Sequence, residues 1–170
     1  MTDLARMIAT KAVSPLEVVR AHLDRIAALD PGLRSYITVC EETAVAAARA
    51  AETALMAGQP LGPLHGVPYA LKDLYDTAGV RTTGGSRMLA DRVPARDATV
   101  AARLAGAGAI LLGKLNMVEF AYGPEGLNPH YGHARNPWDP NVHRMAGGSS
   151  SGSGVAVPAR PPPPPPSRTR

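Results

Sequence analysis

The run Gly147-Gly148-Ser149-Ser150-Ser151-Gly152-Ser153-Gly154 packs four serine hydroxyls among four glycines. On composition alone it reads as a flexible linker. It lacks the lysine of a phosphate-binding loop, and no strand closely precedes it. Its other reading is a glycine-rich turn that brings hydroxyls and backbone N–H groups to a reacting centre. Lys72 is the second residue of interest. Most lysines are solvated and inert, but Lys72 ends the apolar stretch Gly66-Val67-Pro68-Tyr69-Ala70-Leu71. A lysine desolvated there has a lowered pKa and enough free amine to act as a base. A serine nucleophile needs such a base, and Ser–Lys pairs are an alternative to Ser–His.

These residues have to be positioned by the elements around them. Ser14-Pro15-Leu16-Glu17 is a capping-box pattern with proline at the first helical position. Leu16, Val19, Leu23 and Ile26 follow at helical steps, and Asp30-Pro31-Gly32 is expected to stop the helix. A shorter helix is expected around Leu4 to Ala9. Ile37-Thr38-Val39 reads as a short strand. Glu41 to Met56 is alanine-rich and runs into Gly58, which predicts a glycine-capped helix. Gly66 to Leu71 reads as a buried strand. Asp97 is placed to cap a helix carrying Val100 and Leu104 that ends near Gly106 and Gly108. Ala109 to Leu112 reads as a second buried strand, and Asn116 with Glu119 as the start of another short helix. From Gly123 to Met145 the turn residues predict loop. Helix, strand, helix, strand in this order predicts an α/β fold with helical cover.

Composition bounds the function. The chain has 170 residues, 45% hydrophobic and only 4% aromatic, so aliphatics and alanine fill the core. No apolar stretch approaches the ~20 residues that span a bilayer, and the first residues show no secretory signal. The single cysteine, Cys40, excludes a disulfide scaffold and fits a reducing, cytoplasmic setting. Cys40 itself reads as structural. The net charge is +4, but Arg160, Arg168 and Arg170 account for three of it, and no basic stripe with interleaved aromatics points to nucleic acid. His130, His133 and His143 are weighed as a metal set; the plainer reading is polar loop histidines with no obvious carboxylate partner. Asp73 and Asp76 are placed to tune the charge of Lys72 or to cap a turn. Nothing calls for a metal or an organic cofactor, and nothing sets an oligomeric state.

Gly62-Pro63-Leu64-His65-Gly66-Val67-Pro68-Tyr69-Ala70-Leu71-Lys72-Asp73 resembles the lysine motif of the amidase signature family. Thr82-Thr83-Gly84-Gly85-Ser86, Asp97-Ala98-Thr99-Val100, Gly113 to Ala121 and Asn136-Pro137-Trp138 are similar to its next landmarks. Gly147 to Gly152 is similar to the signature itself. The resemblance runs from residue 1 to Val157. It implies a mixed β-sheet core covered by α-helices, and hydrolysis of a small-molecule carboxamide by a Ser–Ser–Lys triad. Lys72 maps to the base. Ser149 maps to the serine, preceded by a cis peptide, that relays the proton. The nucleophile belongs to an Asp-x-Gly-Gly-Ser segment about two dozen residues after the relay serine. Counted from Ser149 that segment falls past Arg170, and its oxyanion-hole donors fall with it.

Two segments are therefore expected: 1–157 as the N-terminal part of an amidase-signature domain with its sheet incomplete, and 158–170 as a disordered Pro/Arg-rich tail. The tail carries seven of the 17 prolines. Pro161 to Pro166 predicts polyproline II, which suits an SH3- or WW-type partner. An alanine tract read one base late gives the same prolines and arginines, and the family has an alanine-rich helix at this point; a frame error is the favoured expectation. The chain alone is expected to be catalytically silent and poorly soluble. Within the family, the alternative is the glutamyl-tRNA(Gln) amidotransferase component that passes ammonia to a partner subunit. Glu125 to Gly132 looks more like a general amidase. Outside the family, the alternative is a non-catalytic binding protein that uses the proline tail.

Overall fold

The computed structural model describes residues 2–59, 62–139, 142 and 144–159. Among the described residues the fold is built from five α-helices and three strands. In chain order they are α1 (Thr2–Ala9), α2 (Pro15–Leu33), β1 (Tyr36–Val39), α3 (Glu41–Met56), β2 (Pro68–Lys72), α4 (Thr99–Gly106), β3 (Ile110–Leu115) and α5 (Ser151–Ala156). The strands form one mixed sheet in the order β1-β3-β2. β3 is antiparallel to β1 and parallel to β2.

The capping box closes as the sequence predicts. Ser14 accepts from the Leu16 and Glu17 amides, and the Glu17 carboxylate accepts from the Ser14 amide. The expected stop at Asp30-Pro31-Gly32 does not occur, and α2 continues to Leu33. Pro31 removes the hydrogen bond its N–H would have made and crowds the carbonyl four residues back, and only two helical residues follow it. Arg34 then ends the helix in the left-handed conformation, its N–H bonded to the Asp30 carbonyl. The Asp30 carboxylate accepts from the Ser35 and Tyr36 amides and the Ser35 hydroxyl, which aims the chain into β1.

α3 matches its predicted bounds, with Gly58 at φ +68 just beyond it. Val19 and Leu23 of α2, Ala44, Ala48 and Ala51 of α3, and Ile110 and Leu112 of β3 form one buried cluster. Alanines let the helices approach closely, which is how a chain poor in aromatics still packs a core. Asp97 does not cap α4: Ala98 is the N-cap residue, and the Asp97 carboxylate accepts from the Ala78 amide instead. β3 runs three residues beyond the predicted strand, to Leu115. Asn116 starts no helix. It is fully buried, and only a three-residue 3-10 turn, Glu119–Ala121, follows, with Phe120 at φ +47. Asn116 is held away from a capping role because its amide group donates to the Arg34 and Gly132 carbonyls.

The serine-rich run is not a linker throughout, since its second half forms α5, which packs on β3. Pro158 and Ala159 lie in the turn after α5. Residues 160–170, with the polyproline, frame-error and disorder expectations placed on them, lie outside the described residues.

Candidate active site

β2 pairs with β3 without a shift from Ala70/Gly113 through Leu71/Lys114 to Lys72/Leu115. Side chains alternate across a sheet, so Lys72 and Leu115 point to one face, Leu71 and Lys114 to the other. Lys72 is half-buried at the strand's last position. Its Nζ lies 2.6 Å from Ser149 Oγ. Burial lowers its pKa from the ordinary lysine value, and no charged neighbour adds to the shift. An amine placed this way at the end of a strand, against a hydroxyl, can accept that hydroxyl's proton.

Ser149 is fixed by backbone. Gly147 sits at φ +75, the Gly148–Ser149 peptide is cis, and the Ser149 carbonyl accepts from the Val118 amide at 3.0 Å. The segment Gly123–Gly126 lies across this turn as a strap. A Cβ on Gly126, at φ +79, would come within 2.3 Å of the Gly147 carbonyl oxygen; one on Gly148 would come within 2.8 Å of the Gly126 nitrogen. Gly152 brings the first turn of α5 against the end of β3: its N–H donates to the Asn116 carbonyl at 2.8 Å, and a Cβ there would lie 2.3 Å from the Ser35 carbonyl. Gly148 and Gly152 are thus required by close backbone approach, and Gly147 by its positive φ.

The two residues singled out by chemistry are therefore in contact. The other candidates are elsewhere. Asp73 is fully buried on the Lys114 side: its Oδ2 accepts from the Thr83 amide at 2.9 Å and from the Thr83 hydroxyl, and its Oδ1 lies 3.9 Å from Lys114 Nζ. Asp76 forms a two-pronged pair with Arg92, 2.7 Å at each contact, and this pairing holds its carboxyl below the usual range. Neither carboxylate sets the charge of Lys72. Cys40 sits half-buried at the start of α3, and burial pushes its thiol up, away from reactivity.

The histidines do not converge. His130 Nε2 lies 3.0 Å from Glu119 Oε1, so a carboxylate partner exists that the sequence did not reveal. Hydrogen bonds from Ser86 and His130 hold the Glu119 carboxyl below its ordinary value. His133 Nδ1 accepts from the Asn128 amide at 3.0 Å, while His143 lies outside the described residues. Among the described residues no three His, Cys, Asp or Glu side chains gather as a metal site, and no helix is long and apolar enough to cross a membrane.

Two structural side chains around the site escaped sequence reasoning. Lys114 is wholly buried and donates to the Tyr75 carbonyl and the Thr82 hydroxyl, 2.6 Å each. Asn128 is also wholly buried. Its Nδ2 donates to the Gly85 and Met117 carbonyls at 2.8 and 2.7 Å; its Oδ1 accepts from the His130 and Tyr131 amides at 2.8 and 2.9 Å. The signal available for Lys114 was its place inside a strand of apolar residues. Asn128, in a loop, gave none.

The family model Amidase matches residues 17–162. The chain is 51% identical over 157 residues to the glutamyl-tRNA(Gln) amidotransferase A subunit of Acidothermus cellulolyticus, covering 92% of this chain and 31% of that protein. It is 51% identical over 159 residues to the protein of that name from Azoarcus sp., covering 94% and 32%. Among solved structures, the peptide amidase of Stenotrophomonas maltophilia superposes with a TM-score of 0.83 at 36% identity, covering 92% of this chain and 33% of that one. A bacterial aryl acylamidase of the amidase signature family superposes at 0.81 and 32% identity, covering 90% and 32%. The chain thus spans about a third of the length of the relatives it matches.

Proposed function

Because this chain belongs to the amidase family, we propose that it carries the base and the relay of a centre that hydrolyses carboxamide C–N bonds. In this reading neutral Lys72 accepts the Ser149 hydroxyl proton. Ser149 in turn takes the proton of a nucleophilic serine as that serine attacks the carboxamide carbon. The protonated Lys72 then returns a proton through Ser149 to the departing nitrogen, ammonia or an amine leaves, and water releases the acid from the acyl-enzyme. The nucleophile and the N–H groups that stabilise the oxyanion belong to the Asp-x-Gly-Gly-Ser segment, which counts past Arg170. The observation that supports the reading is the 2.6 Å contact between Ser149 Oγ and a lysine whose pKa is lowered by burial alone. Such a lysine holds more free amine near neutral pH than a solvated one.

The test is ammonia release from small carboxamides by the protein carrying this chain. Lys72→Ala and Ser149→Ala should each remove most of the turnover, since members of a triad act as a unit and losing one costs on the order of 10⁶-fold. Ammonia release that survives Lys72→Ala overturns the assignment. A second reading, that the chain is part of a glutamyl-tRNA(Gln) amidotransferase, is favoured by the 51% identities to proteins of that name. It predicts that the amide substrate is consumed efficiently only when partner subunits are added. A simple amidase turns over without them.

A further inference from the structure

The sequence has three lysines, Lys11, Lys72 and Lys114, and each sits in a different environment. Lys11 is exposed, Lys72 is half-buried against Ser149, and Lys114 is wholly buried. A wholly buried ammonium is rare and is unfavourable unless it is paired. Packing does not require it, because an apolar side chain of similar volume often replaces a buried charge without loss of stability. What Lys114 has instead is a specific set of partners. Two of its protons go to the Tyr75 carbonyl and Thr82 Oγ1, and the third side of the ammonium faces Asp73 Oδ1 at 3.9 Å. Among the described residues that oxygen has no hydrogen-bond partner, while Oδ2 is held by Thr83. Asp76, Cys40 and Arg92 are the other titratable groups acting on Lys114.

Asp73 directly follows Lys72. Its amide donates to the Leu115 carbonyl at 3.0 Å, and its own carbonyl accepts from the Gly84 amide at 3.0 Å, so its position fixes the end of β2. An uncompensated carboxylate one residue from Lys72 would favour the ammonium form and withdraw the free amine a base needs. We propose that Asp73 and Lys114 are positioning residues for Lys72: a mutually neutralising pair, on the face of the sheet opposite Ser149, that pins the strand end and keeps the neighbouring carboxylate from acting on the Lys72 amine. The proposal rests on the role given to Lys72 above.

The test reads the Lys72 amine itself in the full chain. Reductive methylation with ¹³C-formaldehyde tags the accessible lysines, and NMR titration compares the Lys72 midpoint with that of Lys11. Lys114→Met leaves Asp73 without its cation, with the Thr83 amide and hydroxyl still donating to its Oδ2. The Lys72 midpoint should then rise by about one pH unit, a tenfold loss of free amine, and adding Asp73→Asn should reverse the shift. A folded Lys114→Met variant with an unchanged midpoint, or a shift that Asp73→Asn does not reverse, overturns the proposal. If Lys114→Met fails to fold, Asp73→Asn alone decides: it leaves the Lys114 ammonium uncompensated, so the Lys72 midpoint should fall, and an unchanged or raised midpoint overturns the proposal. A wild-type Lys72 midpoint equal to that of Lys11 would count against Lys72 as the base, while the shifts among variants would still judge the pair.

Discussion

Asn128→Ala is expected to be among the most damaging single changes around the site. The side chain makes four hydrogen bonds, two to carbonyls and two from amides, at 2.7 to 2.9 Å. Gly85 and Met117, which own the carbonyls, are buried; His130 and Tyr131, which own the amides, are half-buried. A buried polar group left without a partner costs about 1–3 kcal/mol. Counting the two carbonyls in full and letting water reach the amides gives a loss of roughly 2–6 kcal/mol. That is a large share of the ~5–15 kcal/mol typical of a folded domain. Urea unfolding followed by circular dichroism measures it as a lowered midpoint at constant slope. Asn128→Asp sharpens the test. It keeps the acceptor for the His130 and Tyr131 amides but turns an anionic oxygen toward the Gly85 and Met117 carbonyls. It should therefore be no milder than alanine at neutral pH, and should regain stability on acidification, when the carboxyl can donate. A loss under about 1 kcal/mol for alanine, or an aspartate variant tolerated at neutral pH, would refute the reasoning.

Two further outcomes are expected. Gly126→Ala should cost ~1–2 kcal/mol in backbone conformation alone, with more from the contact to the Gly147 carbonyl; it should also pull Ser149 away from Lys72, seen as a Lys72 midpoint that moves toward that of Lys11. Burial lowers Lys72 from its ordinary 10.5, so between the lowered value and 10.5 the unfolded chain holds more protons at this side chain than the folded one. Stability contributed at Lys72 therefore rises with pH across that window. Wild type should gain on Lys72→Met as the pH of urea unfolding is raised, and parallel profiles would sink the idea.

Much of the frame was legible because local chemistry and tertiary structure agree there. Ser14 and Glu17 cap α2 whatever lies beyond them, and the alanines of Glu41–Met56 suit both helix propensity and close packing. Lys72 and Ser149 were legible as residue types, although what joins them is a strap and a strand end far apart in sequence. Several of the misreadings share one cause, which is that short polar side chains have more than one way to bond. Asp97 and Asn116 carry the signature of a helix cap, yet their carboxylate and amide groups bond to distant backbone. Asp30, read as part of a stop signal, instead directs the chain into β1. Glu119 and His130 meet only because the loop between them folds back around Asn128, and a partnership made by a loop leaves no periodic trace.

Every backbone pairing in the sheet includes β3, the last of the three strands to be synthesised. At the ribosome, β1 emerges about 75 residues ahead of β3, its partner among the described residues. At ~5–20 residues per second it waits roughly 4–15 s with its edges open. The α2–α3 pair can form in that interval from local contacts, but its apolar cluster stays uncovered where Ile110 and Leu112 will later sit. The nascent chain thus has a defined window of exposure that closes when one short strand arrives. A holdase that recognises apolar surface would act in that window.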